Sequence, residues 1–233
     1  MKKTKMIFYY LLLSFVAVGL IIIMVLVKPI TSNTITFLDK LFIAGAFFTS
    51  CIFGISIAAY PNWWRKDKPN INHITNLQKT KTSRLFKGHH PDCSMFEDHV
   101  ITIKNKLRCA GCLGLIIGAL ISIFLMTLYL ILPFRLSIII FYNLLITGIF
   151  LIFIIYGEIM LSKRKKFFHI LLNSLLILSF LGVTISILEI TKNLLYGALT
   201  VFLCFLWLDT RIHISNYQHS RICSSCIQDC KSY

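Results

Sequence analysis

Six blocks of apolar residues, each about as long as a membrane span, constrain this chain more than any other feature. They cover 7–27, 41–60, 109–132, 137–161, 167–190 and 194–210, the last being the shortest. A helix needs about 20 apolar residues to cross a hydrocarbon core roughly 30 Å thick. Backbone polar groups in lipid must bond within their own segment, so each block is expected to be helical. The whole chain is 57% hydrophobic and 14% charged, against about 45–50% and about 25% in soluble domains. That balance excludes a disordered chain, a collagen-like chain and an ordinary soluble enzyme. The expected fold class is an all-α polytopic membrane protein of about six transmembrane helices. The first block follows Lys2, Lys3 and Lys5. Its apolar run exceeds that of a signal peptide, so it reads as a retained signal-anchor.

The formal net charge is +15, which in a soluble protein would point to nucleic acid. Its distribution gives another reason. With the N-terminus in the cytoplasm, 20 of the 24 Lys and Arg residues fall on inner segments, and only Lys28, Lys40, Arg135 and Lys192 fall outside. Inner loops carry such an excess in membrane proteins. The expectation is therefore a multi-pass protein of the cell membrane with both termini cytoplasmic. Its expected partners are the lipid bilayer and an unidentified protein, with no nucleic acid. The chain divides into helices one and two (1–60), a basic inner loop (61–108), helices three to six (109–210) and a Cys-rich inner tail (211–233).

In that orientation six of the eight cysteines fall on the cytoplasmic side, Cys109 and Cys112 at the start of the third block. In a reducing compartment, clustered cysteines point to metal ligation or reactive thiols rather than disulfides. His90, Cys93, Cys109 and Cys112 are spaced H-x2-C-x15-C-x2-C, the paired spacing of a four-ligand zinc site. Zinc takes four tetrahedral sulfur and nitrogen ligands. Between the pairs, 99–103 is β-rich, 104–106 reads as a turn and 107–108 as a returning strand. Hairpin followed by a ligand-bearing helix resembles a treble-clef zinc module, expected at 88–112. His89 and His99 are alternative histidine ligands. Gly111 and Gly114 allow the helix start a close approach.

Gly88-His89-His90-Pro91-Asp92-Cys93, with Phe96, His99, Cys109-Ala110-Gly111-Cys112-Leu113-Gly114 and Gly118, resembles a family of uncharacterised predicted membrane proteins of archaea and bacteria. In that family a His/Pro segment precedes a Cys-x-x-Cys-x-Gly that opens a membrane helix. The resemblance covers about residues 88–120. The common bacterial form has arginine between the cysteines and begins its upstream segment Cys-His. Here Ala110-Gly111 and His89-His90 hold those places. The resemblance implies a shared site but no particular reaction.

His219, Cys223, Cys226 and Cys230 form a second cluster and a possible second metal site. On a straight helix they share one face and cannot surround one ion, so the tail must turn, share a metal with the loop, or dimerise. Cys51 and Cys204 lie within spans and read as packed small residues. Glu158, His169 and Asp209 are expected near the inner interface, snorkelling to water or pairing with Lys163, Arg164, Lys165, Lys166 and Arg211, or joining the metal module. Glu189 is expected to pair with Lys192. Asn143 and Asn173 are candidates for bonds between helices, and Gly114 with Gly118 for close helix packing. No nucleotide, zinc-protease or hydrolase motif is present. The leading reading is a non-enzymatic membrane protein whose inner loop folds on zinc as a docking or regulatory module. The alternative is a membrane thiol oxidoreductase using Cys109 and Cys112. A metal or small-solute transporter ranks third, since no span carries the broken-helix pattern of a midplane site.

Overall fold

The computed structural model describes residues 3–27, 35–59, 86–87, 100–103, 106–132, 136–160 and 165–224. Each apolar block is a helix: α1 (Lys3–Leu26), α2 (Phe37–Ala59), α3 (Ala110–Ile131), α4 (Ile138–Met160), α5 (Lys166–Thr191) and α6 (Leu194–Ser224). All six are long and apolar enough to cross a membrane, the architecture of a multi-pass membrane protein. Their outward faces carry large apolar side chains such as Phe8, Phe15, Phe124, Ile139 and Phe150. So extensive an apolar surface suits lipid rather than water.

Local chemistry sets several helix ends. Thr36 and Asp39 cap α2 reciprocally: the Thr36 N–H donates to Asp39 Oδ2 (2.9 Å) and the Asp39 N–H to Thr36 Oγ1 (3.2 Å), a capping box. Asn193 Oδ1 accepts the Leu195 N–H at 2.9 Å and so caps α6. Just before it, Lys192 takes a left-handed conformation (φ 53°) that ends α5. The sixth helix departs most from expectation, running 14 residues beyond Thr210. Hydropathy falls there, but the buried face does not end: Arg211, Ile214 and Gln218 recur at helical spacing and are all buried. Gln218 Nε2 donates to Met160 O (2.5 Å), and the His213 ring stacks on Tyr10 at 3.9 Å. At about 1.5 Å per residue the helix is about 46 Å long, so its last turns reach past the hydrocarbon.

α5 is the central helix and packs most extensively against α3 and α4. The α3–α5 approach depends on glycine. A Cβ on Gly114 would lie 2.4 Å from Ile170 O, and one on Gly118 2.6 Å from Ser174 O. Ser174 Oγ donates to Gly114 O across this contact (2.9 Å). The expected close face is therefore present. At the far end of the bundle Glu189 pairs with Lys192, as expected, and also accepts from Lys40 (2.8 Å) and Tyr129 (2.5 Å). One carboxylate thereby ties α2, α3 and α5. Trp207 is fully buried; its indole N–H donates to Ser14 O (3.3 Å), and the Ser14 hydroxyl donates to Thr210 Oγ1 (2.9 Å), joining α1 to α6.

Three short strands precede α3: β1 (Phe86–Lys87), β2 (Val100–Ile103) and β3 (Lys106–Cys109). The expected hairpin is the antiparallel β2–β3 pair, and β1 adds a parallel strand on the other side of β3.

Candidate metal centre

β3 runs directly into α3, and the cysteine pair sits at the junction. Cys109 ends the strand and occupies the N-cap position with extended backbone (φ −67°, ψ 126°); its side chain makes no cap hydrogen bond. Cys112 follows in the first turn. The two side chains are hydrogen-bonded to one another. Cys109 is buried and Cys112 half-buried. The first N–H groups of a helix lack partners within it, and their aligned dipoles favour negative charge nearby.

Four buried polar side chains from three other helices line the same end of the bundle. α4 supplies Glu158, α5 supplies His169 and Asn173, and α6 supplies Arg211. Gly111, between the cysteines, admits them: a Cβ there would lie 3.0 Å from His169 Nε2 and 3.2 Å from Arg211 Nη2. His169 Nδ1 faces Glu158 Oε2 at 3.6 Å. Asn173 Nδ2 donates to His169 O (2.5 Å), and Asn173 Oδ1 accepts from Arg211 Nη2. The Arg211 guanidinium lies in the electrostatic field of both cysteines and of Glu158.

Lys87 pairs with Arg108 in parallel, and Val100 pairs with Cys109 antiparallel. β1 and β2, whose ends bound 88–99 in sequence, therefore lie on the two sides of β3. Adjacent strands are only about 4.8 Å apart. His89, His90, Cys93 and His99 themselves lie outside the described residues. Among the described residues no group of three or more His, Cys, Asp or Glu side chains is arranged to hold a metal. The structure thus brings together two of the four expected ligands.

In the second cluster, His219 and the Cys223 backbone belong to α6, while Cys226 and Cys230 lie outside the described residues. His219 is eight residues and Cys223 twelve residues beyond Arg211, or about 12 and 18 Å along the helix. That axial offset separates them from the Cys109–Cys112 level. Cys51 and Cys204 are buried within spans, as expected. Glu158 and His169 do join the surroundings of the cysteine pair. Asp209 does not: it is half-exposed and faces His213 at 3.6 Å. Asn173 bonds to another helix, whereas Asn143 is exposed on the outer surface.

Arg211 is the residue that sequence reading underrated. It follows the last apolar block and reads in sequence as an interfacial cation with which Glu158, His169 or Asp209 can pair. The available signal was its spacing: Trp207, Arg211, Ile214 and Gln218 fall on one helical face. No family model, curated protein or solved structure matches the chain.

Proposed function

We propose that this integral membrane protein carries a zinc-binding module on its inner face and uses it to dock or regulate a partner protein. In this reading Cys109 and Cys112 supply two thiolates, Cys93 a third, and a histidine from 88–99, His90 in first place, the fourth ligand. The observation that supports it is the register of the three strands, which pairs Lys87 and Val100, the two described residues that bound 88–99 in sequence, with Arg108 and Cys109. The donor set suits the metal: thiolates and one imidazole in a closed tetrahedron make a structural zinc site, which stabilises the fold rather than performing a reaction. A module anchored at the start of α3 would fix the basic loop to the mouth of the bundle. The end bearing the pair faces the cytoplasm in this proposal, supported by the 20-to-4 partition of basic residues.

A second reading, a membrane thiol oxidoreductase, draws support from the helix N-terminus and Arg211, both of which favour thiolate. Burial of Cys109 counts against it, because disulfide exchange requires access.

The test is alkylation of the full-length protein mapped by mass spectrometry, with metal content measured in parallel. The zinc module predicts that Cys93, Cys109 and Cys112 resist a mild reagent until a strong chelator is added, then react together. Fast, chelator-independent labelling within the Cys109–Cys112 pair, with Cys93 unaffected, supports the oxidoreductase instead. A zinc content below about half an equivalent under reducing conditions removes the site.

A further inference from the structure

The zinc reading gives no role to the buried cation beside the cysteine pair. Arg211 is only 8% exposed, although it is a full positive charge. Moving such a charge out of water costs several kcal/mol unless an anion offsets it. Its Nη2 donates to Asn173 Oδ1, a neutral acceptor that fixes the guanidinium without neutralising it. Its Nε has no hydrogen-bond partner among the described residues. The guanidinium lies against Gly111, at the uncapped N-terminus of α3. Two independent features, an arginine with an unused donor and a helix start, thus meet at the turn that carries the cysteine pair. Zinc bound by three thiolates and one neutral imidazole carries a net single negative charge, which a buried guanidinium balances.

We propose that Arg211 is the counter-cation of the Cys109–Cys112 thiolates, positioned by Asn173 and carried to them by the sixth helix. The inference rests on the zinc reading above and extends it. Arg211 is a positioning residue: it touches the ligands' surroundings and not the metal. It makes the metal site depend on the packing of α6 against α3 and α5. A loop that folds on zinc can therefore sense, or impose, the arrangement of the bundle's inner end. Glu158 is a second anion in the arginine's field. Were Glu158 its only functional partner, loss of Arg211 would lower stability and leave metal affinity unchanged.

The experiment measures zinc affinity of the detergent-solubilised full-length protein by competition with a chromophoric chelator. Wild type, Arg211→Lys, Arg211→Met and Cys109→Ser are compared. Removing a group that supports metal ligands typically lowers affinity 10–100-fold. That range is expected for Arg211→Met, with most of the loss recovered in Arg211→Lys, which keeps the charge. Cobalt(II) substitution adds a spectroscopic reading, because sulfur-to-metal charge-transfer bands shift when a donor to the sulfur is lost. Wild-type affinity and unshifted bands in Arg211→Met overturn the inference while leaving the zinc site intact. A wild type that binds no zinc overturns both. Should Arg211→Met not be recovered folded, Arg211→Gln, which removes the charge and keeps a polar side chain, takes its place: weakened zinc binding supports the role, and wild-type affinity with unshifted bands refutes it.

Discussion

Gly114 and Gly118 hold α3 against α5, so alanine at either position should separate the two helices. At Gly114 the new Cβ would stand 2.4 Å from Ile170 O, where ordinary contact begins near 3.4 Å. The obstacle is backbone, which cannot rotate away, so the helices must move apart locally by about 1 Å. Overpacking of this kind costs about 1–3 kcal/mol. The separation also weakens the Ser174 hydroxyl donation to Gly114 O, a bond worth about 0.5–1.5 kcal/mol. Gly118→Ala meets the Ser174 backbone at 2.6 Å and should cost a similar amount. Gly45 and Gly54 provide the control, since a Cβ on either meets nothing within 4 Å. Alanine there should be neutral, or stabilising by up to about 1 kcal/mol through helix propensity. Thermal or denaturant unfolding in one detergent, followed by circular dichroism, compares the four variants. Equal stability of Gly114→Ala and Gly45→Ala would refute the packing argument. Because α3 begins with the cysteine pair, Gly114→Ala should also weaken zinc binding, whereas Gly54→Ala should not.

Glu189→Ala removes the acceptor shared by Lys40, Lys192 and Tyr129; one hydrogen bond to a charged group is worth about 1.5–3 kcal/mol. Unfolding should show a loss of at least that size, and a change within about 0.5 kcal/mol would contradict it. Trp207→Ala empties a fully buried site between α1 and α5 and should cost about 3–5 kcal/mol; wild-type stability in this variant would mean that α6 packs differently. Reporter fusions at residue 75 and at the C-terminus should both signal a cytoplasmic location, because that orientation keeps 20 of the 24 basic residues inside. An external signal from either reverses the topology.

The spans were legible because hydropathy alone reports them, and the ends of five helices fall within a few residues of the apolar blocks. The sixth was cut short at Thr210 because composition turns polar there. What continues is a buried face of Arg211, Ile214 and Gln218, a periodic signal that hydropathy does not see. The hairpin before Cys109 was readable from β-branched residues and a polar turn. The parallel strand at Phe86–Lys87 was not, since two residues carry no periodicity and their pairing is fixed by β3. At the site, the cysteine spacing is a local signal and survives in sequence. The convergence of Glu158, His169, Asn173 and Arg211 is not local, as these residues come from three helices up to 53 positions apart. Only the glycine at 111, small enough to admit His169 and Arg211, hinted at a close approach.

The central claim is that the cysteine pair at the start of α3 is half of a zinc site completed by the preceding loop. X-ray absorption at the zinc edge, on protein purified under reducing conditions, tests it most directly. The account predicts three sulfur ligands near 2.3 Å and one nitrogen near 2.0–2.1 Å, with about one zinc per chain. In Cys109→Ser one sulfur should be lost or the metal released. A zinc-free protein, or a first shell of oxygen and nitrogen alone, would contradict it.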